Sequence, residues 1–158
     1  MRAIDVDAEP DTLFRWLCQL KVAPYSYDLL DNVGRRSPRT LTPGADQLAV
    51  GQWVMIGRIV AFEVGHSFTV LSSRTSDLLF GGPIVLTYAV EPPADRAARA
   101  RIVVHMAVTA NSRPARLRRM FLAWGDLVMM RKQLLTLKRL AELDDARAVQ
   151  AAEGAVRS

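Results

Sequence analysis

The stretch from residue 52 to residue 110 most constrains what this chain can become. It holds a succession of two-residue hydrophobic alternations, separated by connections with no helix between them. Parallel strands need a crossover of a dozen or more residues, so strands in this succession pair antiparallel, as a meander. The alternating segments are residues 52–56, 58–64, 68–72, 84–91 and 99–110. In the second, Val60, Phe62 and Val64 fall on one side and Ile59, Ala61 and Glu63 on the other. In the last, Ile102, Val104, Met106 and Val108 oppose Arg101, Val103, His105 and Thr109. Residues 73–77 are polar, and the apolar residues 78–80 run into a turn at Gly81, Gly82 and Pro83. Such a sheet can leave one face wet but must cover the other.

The cover comes from the C-terminal third of the chain. Ser112 is a good N-cap and Pro114 suits a first helical turn. Met120, Trp124, Leu127, Leu134, Leu137 and Ala141 share one stripe, with Met130 close to it and Leu117, Phe121, Val128 and Leu135 widening it. That pattern predicts a helix over 114–143, buried along most of its length. At the other end of the chain, residues 2–7 alternate as a short strand. Pro10 then opens a helix whose buried face carries Leu13, Leu17 and Leu20, with Phe14 and Cys18 beside them. Residues 25–32 read as a second short helix, closed by Gly34. Residues 144–158 are polar and alanine-rich and read as a fraying tail, so one domain spans 1–143. The class is α+β: strand, two short helices, a run of antiparallel strands and one long helix.

Composition narrows the function classes. Half of the 158 residues are hydrophobic, enough for one sizeable core. The apolar runs are far too short to cross a bilayer, and the opening residues lack the apolar core of a secretory signal. Together with the single cysteine, Cys18, this predicts a cytoplasmic protein. Cys18 itself reads as a small core residue, because no histidine is placed by sequence to activate it. His66 and His105 lack metal-ligand spacing, and no phosphate-cradling loop or nucleophile elbow is present, so neither metal nor cofactor is expected. Asp28 and Glu63 are the two acids that could serve as a general base. For Glu63 the competing reading is a cross-strand pair with an arginine. Tyr25 and Tyr27, just ahead of Asp28, either pack their rings with wetted hydroxyls, or one of their hydroxyls or Asp28 lines a pocket mouth, and the sequence favours neither.

The element order resembles the helix-grip fold of the START-like superfamily, which includes the birch-pollen allergen family and the polyketide cyclase/dehydrase group. Three segments carry the likeness. IDVDAEPDTLFRWLCQL is similar to that superfamily's opening strand and proline-started helix. PYSYDLLDNVGR is similar to a Tyr-Ser-Tyr-Asp segment of bacterial members, and MMRKQLLTLKRLAE resembles their terminal helix. The resemblance spans about residues 2 to 143. It implies a curved antiparallel sheet wrapped around the long C-terminal helix, with a cavity between them for a small hydrophobic, lipid- or polyketide-like ligand. On that reading the cavity wall draws on Tyr25, Tyr27, Trp53, Tyr88, Met106, Trp124, Leu127 and Met130, where methionine supplies an adaptable surface and the aromatics flat ones. Without the resemblance, methionines and aromatics at these spacings read as plain core.

One cluster stands apart. Arg113, Arg116, Arg118 and Arg119 crowd the start of the last helix, where positive charge opposes the helix dipole. An acidic partner or anion would account for them, as would an exposed face paired with strand acids. Nucleic acid ranks low, because Phe121 and Trp124 fall on the buried stripe rather than among the basic residues. The sequence leaves three functions as expectations: binding of a hydrophobic small molecule, a cyclase or dehydratase acting on a polyketide-like substrate, or a non-catalytic interaction protein using the arginines. A homodimer is left open.

Overall fold

The computed structural model describes residues 1–25, 37–80, 82–108 and 113–156, with the side chains at 78–80, 113–127 and 156 excepted. Six strands form one antiparallel sheet: β1 Arg2–Val6, β2 Trp53–Val54, β3 Gly57–Glu63, β4 Ser67–Ser72, β5 Ile84–Glu91 and β6 Ala100–Val108. Their order is β1-β6-β5-β4-β3-β2. Strands β2 to β6 are the expected meander, and the N-terminal strand pairs with β6, Arg2 opposite Val104 and Val6 opposite Ala100. Among the described residues three helices accompany the sheet: α1 Pro10–Cys18, continued by a 3-10 turn over Gln19–Lys21, α2 Arg74–Phe80 and α3 Arg113–Val156. The second short helix expected over 25–32 falls, beyond Tyr25, outside the described residues.

The core lies between the sheet and two helices. Proline at the start of α1 leaves no N–H wasted, and Leu13, Phe14, Trp16, Leu17 and Cys18 are buried. They meet Val6, Ile59, Phe68, Tyr88, Ile102 and Val104 from the sheet. Met130, Leu134, Leu137 and Ala141 of α3 close the same core. Their spacing of four, three and four residues keeps them on one stripe.

Local departures from simple periodicity have identifiable causes. The expected strand 52–56 is cut to two residues, because Met55 takes a left-handed conformation with φ 51° and turns the chain. Such a conformation is costly for a residue with a Cβ. The Trp53 indole N–H donates to the Met55 carbonyl at 3.0 Å and helps hold it. Gly57, two residues on, is required by close approach: a Cβ there would sit 1.8 Å from the Leu71 carbonyl oxygen. In β3 the pairing steps from Ile59–Val70 to Ala61–Thr69, which leaves Val60 in a bulge. Ile59 and Phe62, three residues apart, can therefore both face the core, and Phe62 stacks on Phe14 with ring centroids 6.2 Å apart. This corrects the alternation that put Phe62 with Val60 and Val64, both of which are exposed.

Residues 74–80, expected as a polar stretch and an apolar segment leading into the turn at 81–83, form α2. Ser73 caps it, its hydroxyl accepting the Ser76 N–H at 3.3 Å. The Ser72 hydroxyl donates to Asp77 and accepts the Ile84 N–H at 2.9 Å, tying the helix to the start of β5.

The final helix also differs from its expected bounds. It contains 44 residues and does not end near Leu143. At 1.5 Å per residue it is about 66 Å long. Asp145, inside the segment expected to fray, is 4% exposed. Its carboxylate accepts the Glu9 N–H at 3.2 Å and pairs with Arg99. Arg99 in turn reaches Asp7 at 2.9 Å and Glu9 at 3.0 Å. Lys138 donates to the Asp5 carbonyl at 2.6 Å, and the Asp7 N–H donates to Glu142 at 3.0 Å. One flank of α3 is thus clamped to the β1–α1 junction. Val128 and Leu135, expected on the buried stripe, are instead 50% and 44% exposed, on the opposite side of α3.

Candidate ligand-binding groove

The flank of α3 turned away from the β1 clamp borders a groove of about 800 Å³. Its far wall is built from the end of α1 and the chain beyond it, through Trp16, Tyr25, Ser37 and Arg39. Tyr25 adopts a left-handed conformation, with φ 54°, and its ring is 1% exposed. It meets the Trp16 indole edge to face, at 6.2 Å and 86°, and its hydroxyl donates to Gln19 Oε1 at 3.3 Å. Such edge-to-face pairs favour a fixed geometry. Trp16 Nε1 is buried and has no hydrogen-bond partner among the described residues.

The near wall is built from two neighbouring rows of α3. Residues four apart on a helix stand one above the other. One row reads Arg131, Leu135, Arg139, Leu143, Arg147, and the row beside it Val128, Lys132, Thr136, Leu140, Asp144. The first alternates cation and leucine, with successive arginines about 12 Å apart along the axis. Arg39, Arg131, Arg139 and Arg147 are exposed, and no ion pair joins any of them to another described residue. The cations on the clamped flank, Arg99, Arg101 and Lys138, all have carboxylate partners.

Behind the groove, α3 and the sheet touch through a buried polar contact. The Tyr88 hydroxyl donates to Gln133 Oε1 at 2.8 Å, and Gln133 Nε2 donates to the Pro24 carbonyl at 2.5 Å. The same hydroxyl lies 3.7 Å from Met130 Sδ and 3.8 Å from Met55 Sδ, and the Tyr88 ring stacks on Phe68 at 5.3 Å. Buried amides persist where both ends are satisfied, and Gln133 meets that condition.

The structure separates the residues expected to share one cavity wall. Tyr88 and Met130 are buried together in the core, with Met106 packed half-buried against it. Tyr25 lines the groove instead. Trp53 stands at the β2 edge, 50% exposed, with the Arg58 guanidinium 5.8 Å above its ring. Tyr27 and Asp28 lie outside the described residues, as do the side chains of Trp124, Leu127 and the arginines at 113, 116, 118 and 119. Glu63 ends β3 opposite Ser67 and is exposed, away from the core and the groove. His66 and His105 lie outside the core and the groove as well. Cys18 is fully buried, and burial, with Asp46 adding to it, pushes its thiol up to about 12, so it is no nucleophile at neutral pH. Among the described residues no group of three or more His, Cys, Asp or Glu could hold a metal ion. No described helix is long and apolar enough to cross a membrane.

Sequence reasoning passed over the Arg131–Arg139–Arg147 row and Gln133. The alternating arginine and leucine of the row are legible at a spacing of four, but they read as the flank of an amphipathic stripe. Gln133 is a polar residue set beside Leu134 and Met130, a signal of a satisfied buried amide.

No protein-family model and no curated protein matches the sequence. Among solved structures, the chain is similar to the crystal structure of protein MLL2253 from Mesorhizobium loti. The TM-score is 0.51 at 17% identity, over 88% of this chain and 93% of that one. At that identity the likeness concerns the fold alone: what the chain shares is an α+β arrangement of antiparallel sheet and helices.

Proposed function

We propose that the protein is a START-like, helix-grip binding protein that holds a small molecule with an apolar body in the groove between α3 and the end of α1. The observation that carries this reading is the groove itself. Its volume of about 800 Å³ lies in the range of small-molecule sites. Its lining combines Trp16, Tyr25 and Leu140 with the exposed leucines 135 and 143. Val128, Leu135, Leu140 and Leu143 gather their apolar surface along one side of the groove, and a gathered apolar patch of this kind suits a ligand. The element order of six antiparallel strands and a long last helix supports the same assignment. On this reading the ligand lies at the flank of α3 rather than under it, because at Tyr88 the helix rests directly on the sheet. Binding rather than turnover is favoured: among its described residues the groove carries cations and a single carboxylate, Asp144, and no acid paired with a base.

The uncharged fluorescent probe Nile red tests the reading. Saturable binding at one site per chain is expected, weakened several-fold by Leu135→Asp, whose exposed position leaves the fold intact. Absence of saturable binding, or binding indifferent to that substitution, would remove the proposal.

A further inference from the structure

We infer that the groove selects a monomeric anionic amphiphile: one alkyl-type chain along the leucines and the Trp16–Tyr25 wall, with a carboxylate or phosphate head held by the arginine row. The inference rests on the apolar-ligand reading and adds the charge of the ligand to it. Among the described residues, five cationic side chains line the groove, Arg39, Arg131, Lys132, Arg139 and Arg147, against one carboxylate, Asp144. Four of the five, the arginines, form no ion pair with any described residue, while Arg99, Arg101 and Lys138 on the clamped flank each have a carboxylate partner. Stability does not call for this concentration. Three arginines in one row repel each other mildly across about 12 Å, a distance near the Debye length of physiological salt. The unneutralised charge is therefore available to a ligand.

The alternation identifies what kind of ligand. Leucine separates each arginine from the next, so an anion held by Arg131 and Arg139 sits above Leu135, and the chain attached to it has apolar surface on both sides. Guanidinium groups bind carboxylate or phosphate through paired hydrogen bonds, and their planar fork is partly pre-organised for it. A nucleic acid would need exposed aromatic faces for its bases. The aromatics among its described lining residues, Trp16 and Tyr25, are both 1% exposed and offer an edge of wall rather than a stacking platform.

Displacement of Nile red from the full-length chain by three probes of equal chain length tests the inference: dodecanoate, dodecyl phosphate and dodecan-1-ol, each kept monomeric. The anions should displace the dye at least tenfold more strongly than the alcohol, and the gap should narrow on raising salt to about 0.5 M. Arg131→Gln and Arg139→Gln should each weaken the anions about tenfold and leave the alcohol unchanged. Arg139→Lys, which keeps the charge but loses the fork, should fall between. Equal displacement by all three probes would overturn the charge inference while sparing the apolar reading. Anions indifferent to the arginine substitutions would overturn it too. Binding to phosphatidylglycerol vesicles without displacement by the monomeric anions would replace it with a membrane-surface role. Failure of the dye itself to bind would instead remove the underlying reading.

Discussion

Replacing Asp145 by alanine should destabilise the protein by about 2 kcal/mol, although the residue lies in the last, alanine-rich stretch of the chain. Two losses make up the figure. The bond to Arg99 is charge-assisted, a kind worth about 1.5–3 kcal/mol when well buried. Arg99 is 39% exposed and keeps Asp7 and Glu9, which brings its share down to about 1 kcal/mol. The Glu9 N–H loses its acceptor just ahead of α1, for another ~1 kcal/mol. The carboxylate also lies near the positive end of α1, which adds a fraction more. For a domain of this size about 2 kcal/mol lowers the melting midpoint by ~4–8 °C. Urea unfolding followed by circular dichroism measures it, with an unchanged slope showing that two-state behaviour holds. A double-mutant cycle with Arg99→Ala should return a coupling of about 1 kcal/mol. A chain ended after Arg147 should match the intact protein, because residues 146–155 are exposed throughout. A chain ended after Leu143 should lose as much as the point variant. A change below about 0.5 kcal/mol for both Asp145→Ala and the shorter chain would refute the clamp and restore the fraying tail.

Two further predictions test the interior. Tyr88→Phe removes the donor to a buried Gln133 Oε1 and should cost about 1–2 kcal/mol, measurable in the same denaturation assay. No loss would mean that the amide finds another partner. The Cys18 thiol should ignore a disulfide reagent at pH 8 in the native protein and react fully in denaturant, as expected of a fully buried thiol shifted to about 12. Its folded value lies above the unfolded one, so its contribution to stability is complete below the unfolded-state value of about 9 and is lost as pH rises from there through about 12. Cys18→Ala should flatten that alkaline decline. An unchanged slope would show that another group causes it.

Much of the architecture was legible in the chain itself. Short connections between alternating segments dictate antiparallel neighbours, and Pro10 with its following apolar spacing dictates α1. Met130, Leu134, Leu137 and Ala141 announce the buried side of α3, because each of these signals is local and repeats at the period of its element. What only the tertiary structure decided is where periodicity fails or where two segments distant in sequence meet. A single bulged residue, Val60, turns Phe62 onto the core, and no count of alternation reveals it. Asp145 looks like tail until Arg99 and Glu9, far from it in sequence, come beside it. The arginine row was readable as a spacing of four, but whether that side of α3 meets a wall, solvent or a groove depends on where the end of α1 comes to lie. A helix shows its own stripes to anyone reading along it; the neighbour each stripe faces is a property of the whole packed chain.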